Sequence, residues 1–329
     1  MLRTGDILQE RYQIESKIGH NIAHQVWLAR DITTGSTELV VVKILLAGEV
    51  TQWDEFRLFE REAKILKQLN HPQIPKYLDY FPLNEPIKGF VLVQEYIRGE
   101  SLKDVILREK RFTESEIRQI AINILHILVY LHELNPPVLH RDIKPSNLIW
   151  GYDGYIYLID FGAVQYRAPV EGSTFTVVGT YGYTPIEQFG GRTVPGSDIY
   201  ALGATLIHLL TGVAPANLPQ EDFKIQFADR VNLNPDFIQW LEKAIEPDIK
   251  KRFDSAKTAL RLLRSEIVND DSSCIKLNQE SSDSRDIELK NLVPQNTYVE
   301  LEKSFDKLTI KYKENDTIIK IFIIILPSR

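Results

Sequence analysis

Reactive side chains concentrate between His140 and Asp160. The run His140-Arg141-Asp142-Ile143-Lys144-Pro145-Ser146-Asn147 puts a carboxylate, an ammonium and a carboxamide on one short stretch. Asp160-Phe161-Gly162 follows at the end of the apolar segment Ile156 to Ile159. A carboxamide oxygen and a carboxylate suit a small hard cation such as Mg²⁺. A second carboxylate beside a hydroxyl accepts or orients its proton, and an ammonium neutralises phosphate charge. These are the parts needed to move the γ-phosphoryl group of a nucleotide, a reaction in which a protein supplies position and charge more than covalent chemistry. On this reading Asp142 takes the proton of an attacking hydroxyl, Lys144 holds the γ-phosphate, and Asn147 and Asp160 bind Mg²⁺. A lone loop aspartate is usually structural or solvated. The specificity lies in the whole run and in Asp-Phe-Gly at strand-turn spacing.

From about Tyr12 to Ile267 these motifs resemble those of eukaryotic-like serine/threonine protein kinases in the form found in bacteria, cyanobacteria included. The resemblance implies an α+β, two-lobed protein kinase fold, with a small β-rich N-lobe and a large helical C-lobe. Val40-Val41-Val42-Lys43 looks like the strand whose lysine binds the α- and β-phosphates, and Glu62 in Arg61-Glu62-Ala63 looks like its helix partner. Lys43, Glu62, Asp142 and Lys144 are then the catalytic residues. Nucleotide contacts are implied for Ile18, Gly19, Val26, Val41, Lys43, Asn147, Ile149 and Asp160, with Gln94 as gatekeeper and Glu95 and Ile97 in the hinge. Val41 stands where alanine is usual. His140, Phe161 and Leu66 look like members of an apolar spine joining the lobes.

Gly179 to Glu187 resembles the end of an activation segment, with Pro185-Ile186-Glu187 in place of Ala-Pro-Glu and Arg252 as the expected partner of Glu187. Asp198 resembles the residue that braces the catalytic loop. Thr180 together with Lys144 is the serine/threonine pattern. The implied cofactors are ATP and Mg²⁺, with Mn²⁺ as an alternative. The implied partners are protein substrates, with autophosphorylation and a cytoplasmic location. Ser173, Thr174 and Thr176 are candidate phosphosites that would answer the charge of Arg141.

The phosphate-covering loop departs from the pattern Gly-x-Gly-x-x-Gly-x-Val. It reads Gly19-His20-Asn21-Ile22-Ala23-His24-Gln25-Val26, so only the first glycine and the valine remain. Glycine serves such loops because backbone N–H groups approach phosphate closely, often at positive φ. Asn21 tolerates that region best among other residues. His24 reads either as a protonated phosphate contact or as an exposed side chain with no role. Two further readings therefore stay open: a nucleotide-binding scaffold without catalysis, and a small-molecule phosphotransferase of related fold. The latter generally lacks the Pro-Ile-Glu segment and the Arg252 element.

These residues need elements to position them. Gln25 to Ala29 and Leu39 to Leu45 are apolar and β-branched, as a strand pair would be. Phe59, Glu62, Leu66 and Leu69 fall on one helical face, which His71-Pro72 is expected to end. Phe90 to Tyr96 reads as a strand closed by a break at Gly99-Glu100-Ser101. Thr113 and Glu116 form a capping-box signal for a helix carrying Ile117, Ile120, Ile124, Ile127 and Leu131 inward. A second apolar helix is expected from about Asp198 to Leu210. The expected domains are a kinase domain over 1–267, with an N-lobe of about 11–96 and a C-lobe of about 99–267, a disordered linker over 268–291, and a small β-rich tail over 292–329.

The tail reads as a β-hairpin turning at Glu314-Asn315-Asp316, able to dock a partner or a second copy. The 329 residues carry a formal net charge of −6, which argues against a nucleic-acid partner. The lone Cys274 rules out an internal disulfide and suits a reducing compartment. The apolar run Ile318 to Leu326 is shorter than the roughly 20 residues of a membrane span. The N-terminus carries no signal-peptide pattern.

Overall fold

The computed structural model describes residues 2–20, 24–33, 38–46, 53–83, 88–166, 179–265, 298–304, 307–314 and 317–324. The chain divides into two compact units, Met1–Ile267 and Val268–Arg329. The first begins with six strands, β1 (Ile7–Leu8), β2 (Tyr12–His20), β3 (Gln25–Asp31), β4 (Glu38–Leu46), β5 (Tyr77–Leu83) and β6 (Gly89–Glu95). They form an antiparallel sheet in the order β1-β2-β3-β4-β6-β5. Register shifts at Ile14/Ser16 and Lys17/Gly19 bend β2, as bulges do by adding unpaired residues to one strand.

Strand periodicity decides what this sheet offers on each face. Val40, Val42 and Ile44 of β4 pack with Tyr12, Ile14, Trp27, Ala29, Val91 and Val93 in one apolar cluster. The alternate residues Val41, Lys43 and Leu45 therefore point the other way. Helix α1 (Trp53–Leu66) follows β4 and buries Phe59, Ala63, Ile65 and Leu66. It stops short of His71-Pro72: Gln68 and Leu69 already donate to carbonyls three residues back, so the last turn tightens before the proline is reached.

The larger half is mainly helical. Gly99 to Ser101 is a short strand, β7, and not a break, because its backbone pairs with β9. Next come α2 (Leu102–Leu107), α3 (Glu114–Glu133), β8 (Val138–Leu139), β9 (Leu148–Gly151), β10 (Ile156–Leu158) and β11 (Gln165–Tyr166). Thr113 and Glu116 make the expected capping box at the start of α3. Ile117, Ile120, Ile124, Ile127 and Leu131 are all buried.

Further on lie α4 (Ile186–Phe189), α5 (Pro195–Thr211), the strand pair β12 (Gln220–Glu221) and β13 (Lys224–Ile225), α6 (Pro235–Ala244), and α7 over 256–265. Helix α5 starts three residues before Asp198, because Pro195 at its first position is already set for a helix. It is buried on nearly every side, as expected of a helix apolar all round. One apolar cluster runs from α1 and Leu92 of β6 through α3, α5 and α6. The expected strand-rich half and helical half are both present.

The second unit holds β14 (Tyr298–Ser304), β15 (Lys307–Glu314) and β16 (Thr317–Ile324), an antiparallel sheet in the order β14-β15-β16. The expected hairpin thus gains a third strand. The linker over 268–291 lies outside the described residues. Among the described residues, no helix is long and apolar enough to cross a membrane.

Candidate active site

Alternation along β4 carries Lys43 to the face opposite the sheet's apolar cluster. There Lys43 Nζ lies 2.6 Å from Glu62 Oε1 on α1 and 2.9 Å from Asp160 Oδ1. Glu62 and Lys43 are almost fully buried. Burial alone would depress the lysine pKa, but the charges of Asp160 and Glu62 outweigh it and hold it above the ordinary value. Burial would likewise raise Asp160, and the Lys43 ammonium instead keeps it well below the usual carboxylate range. Asp160 sits at φ 65°, in the left-handed region, a conformation of the kind that clusters at functional sites.

The loop from His140 to Asn147 is held from below by α5. Asp198 Oδ2 accepts the backbone N–H of His140 at 2.9 Å, and Oδ1 accepts that of Arg141 at 2.8 Å. His132 Nε2 of α3 lies 2.9 Å from Asp198 Oδ2. Gln188 Nε2 donates to the Arg141 carbonyl at 2.7 Å. On this platform Asn147 Nδ2 donates to the Asp142 carbonyl at 2.8 Å and to Asp142 Oδ2 at 3.0 Å. Lys144 Nζ lies 2.7 Å from Asp142 Oδ2 and donates to Thr180 Oγ1 at 2.7 Å. The Thr180 hydroxyl donates to Asp142 Oδ1 at 2.8 Å.

The structural pairs expected around the site are present. Arg252 Nη1 lies 2.7 Å from Glu187 Oε1, with both side chains buried. The His140 and Phe161 rings meet edge to face at 4.9 Å, and Leu66 is buried in the cluster that also holds Phe161.

A cleft of about 700 Å³ opens between the sheet and the helical half. Ile18, Gly19, Val26, Val41, Lys43, Gln94, Glu95, Ile97, Asn147, Ile149 and Asp160 all line it. Glu62, Asp142, Lys144 and Thr180 line an adjoining cavity of about 260 Å³, which Asp160 and His24 share. Asn147 uses its amide nitrogen on Asp142, and its side-chain oxygen accepts only a long bond from Ser146 Oγ at 3.3 Å, so that oxygen and Asp160 could serve as a hard donor set for a divalent cation. Among the described residues no three His, Cys, Asp or Glu side chains form a metal site by themselves. Such a cation would complete its shell with phosphate oxygens and water.

One expectation about the lid needs correction, that for His24. Gly19 does not sit at positive φ, and a Cβ there would meet only Val26 at 3.7 Å, since the two residues are paired across β2 and β3. His24 is half-buried, not exposed, with its ring 6.1 Å from that of Phe59 on α1. Burial and the nearby Lys43 charge lower its pKa to about 4, so the ring is neutral and not protonated. Asn21, Ser173, Thr174 and Thr176 lie outside the described residues.

A protein kinase domain model matches residues 12–274. This chain belongs to the protein kinase domain family. The kinase domain is 36% identical over 273 residues to serine/threonine-protein kinase B of Synechocystis sp., covering 78% of this chain and 46% of that one. It is 34% identical over 279 residues to serine/threonine-protein kinase PknA of Nostoc sp., covering 80% and 48%. A probable serine/threonine-protein kinase PknB of Lactococcus lactis is 30% identical over 77% of this chain and 41% of its own. The chain spans about half the length of these relatives.

Sequence reasoning passed over His132, Gln188 and Ser197. Ser197 Oγ donates to Glu187 Oε1 at 2.8 Å. His132 and Gln188 reach partners 66 and 47 residues away, so no local spacing marks them.

Proposed function

We propose that the kinase domain transfers the γ-phosphoryl group of ATP to serine and threonine hydroxyls of proteins, itself included, in the cytoplasm. The observation that carries this reading is the Asp142 carboxylate, gathered with Lys144, Asn147 and Thr180 beside the Lys43–Glu62–Asp160 triad. Asp142 takes the proton of the attacking hydroxyl. The hydroxyl oxygen forms its bond to the γ-phosphorus as the bond to the β–γ bridging oxygen breaks, and ADP leaves. The Thr180 hydroxyl donating to Asp142 supports that role, because it is the hydrogen bond a substrate hydroxyl needs. Lys144 neutralises charge on the transferred group, and Lys43 does so on the α- and β-phosphates. Asn147 and Asp160 would hold Mg²⁺, or Mn²⁺, which supplies charge neutralisation across the phosphate oxygens. Glu62 positions Lys43. The family match and the relatives' names as serine/threonine kinases favour this reading over a scaffold or a small-molecule phosphotransferase.

The test is incubation of wild type, Asp142→Asn and Asp160→Ala with radiolabelled ATP, Mg²⁺ and a protein acceptor. Label on serine or threonine is expected with the wild type alone. Tight ATP binding by the wild type with no label in any acceptor would overturn the proposal in favour of a scaffold.

A further inference from the structure

His24, which stands where the family's lid pattern has a glycine, lines both cavities of the site. In the register of the sheet, Gly19 is opposite Val26, and Val26 is opposite Lys43. Directly opposed residues share a sheet face, and residues two apart on one strand do so as well. His24 immediately precedes β3 and lies on the cleft side with Val26 and Lys43. Its imidazole lines both the nucleotide cleft and the inner cavity. The ring packs at a 50° tilt against Phe59, one helical turn from Glu62 on α1. The charged groups facing this space are Lys43 from β4, Asp160 after β10, Glu55 and Glu62 from α1, and Asp142 and Lys144 from the catalytic loop. A glycine at this position would have no side chain to place there. The histidine brings a ring with an N–H donor to the phosphate side of the cleft, where Lys43 stands.

We infer that His24 is a nucleotide-phosphate contact, its imidazole N–H donating to the β- or γ-phosphate in place of lid contacts usually made by glycine backbone. This rests on the phosphotransfer reading above. The contact also ties the lid to α1 through Phe59, so that the helix carrying Glu62 and the strand covering the phosphates meet at one side chain. A hydrogen bond to a charged acceptor is stronger than a neutral one.

The test is calorimetric titration of ATP, ADP and adenosine, each with Mg²⁺, into wild type, His24→Ala, His24→Gly and His24→Gln. The expected result is about tenfold weaker ATP and ADP binding by the alanine and glycine variants. Adenosine affinity should stay within about twofold of wild type, which also reports that each variant is folded. Glutamine, which keeps an N–H donor of similar reach, should recover most of the loss. Unchanged or tighter ATP binding by the alanine or glycine variant would overturn the inference and mark His24 as filler. An equal loss for adenosine would overturn it too, because a wall of the pocket would then have moved. Wild type that binds adenosine but gains nothing from the phosphates of ATP would remove this inference and the kinase reading together.

Discussion

At the scale of single residues, the site is organised by one ammonium shared between two carboxylates. Lys43 is 2.6 Å from Glu62 and 2.9 Å from Asp160, and only Asp160 keeps substantial exposure, at 34% of its side chain. Glu62 thus spends its charge on holding Lys43, while Asp160 keeps a side open to the cleft. Replacing Lys43 by Met is expected to lower phosphotransfer by at least ~100-fold, the range for losing one preorganised charge in an active site. Label incorporation at saturating ATP measures this. Activity within a few fold of wild type would show that Lys43 is not the phosphate cation. The sequence carried Lys43, Glu62 and Asp160 legibly, each inside a motif. It carried His24 as well, but misleadingly: a polar residue in a loop reads as exposed, and only the packing against Phe59 makes it a cleft residue.

At the scale of elements, two tethers of different strength can be compared. The α3 capping box is local and exposed: Glu116 N donates to Thr113 Oγ1, and Thr113 N to Glu116 Oε2. Thr113→Ala should cost about 1 kcal/mol and lower Tm by roughly 2–4 °C, with phosphotransfer unaltered. Arg252 differs in kind. Its guanidinium is bonded to Glu187 before α4 ends, to the Gly196 carbonyl in the first turn of α5, and to the Glu246 and Pro247 carbonyls after α6. With side-chain exposures of 0% and 6%, removing Arg252 leaves a buried carboxylate without its cation, a change that costs about 3–5 kcal/mol. Arg252→Ala should therefore lower Tm several times more than Thr113→Ala in the same thermal melt. Equal shifts would mean that the Arg252–Glu187 pair is not a principal tether. The capping box was legible because both partners lie within one turn. The Arg252 pair needed the family resemblance, since 65 residues separate its ends.

At the scale of the whole molecule, burial sets the response to acid. His24, His71, His126, His140 and His208 all have pKa values lowered first of all by burial. Below their ordinary value of 6.5 the unfolded chain binds protons that the folded chain refuses. Stability then falls as pH drops, and it keeps falling until the folded-state values are passed. The carboxylates held low, Asp31, Asp160 and Asp198, add loss of the same sign at still lower pH. Tm should be lower at pH 5.5 than at pH 7.5 by several degrees in calorimetry. An equal or higher Tm at pH 5.5 would show that these rings are already protonated in the folded protein.

The sequence by itself determined the kinase-family motifs and the two-part architecture, because motifs and amphipathic periods are local and short in range. Strand alternation left two choices for the face of β4 that carries Lys43, and the packing of Val40, Val42 and Ile44 into the apolar cluster decided between them. What only the tertiary structure decided is how pieces that no motif marks meet: His132 on Asp198, Gln188 on the Arg141 carbonyl, and His24 between two cavities. Hydrogen bonds and ring contacts act over a few ångströms in space with no regard to separation along the chain. The residues that make them carry no mark until the helices and sheet have packed.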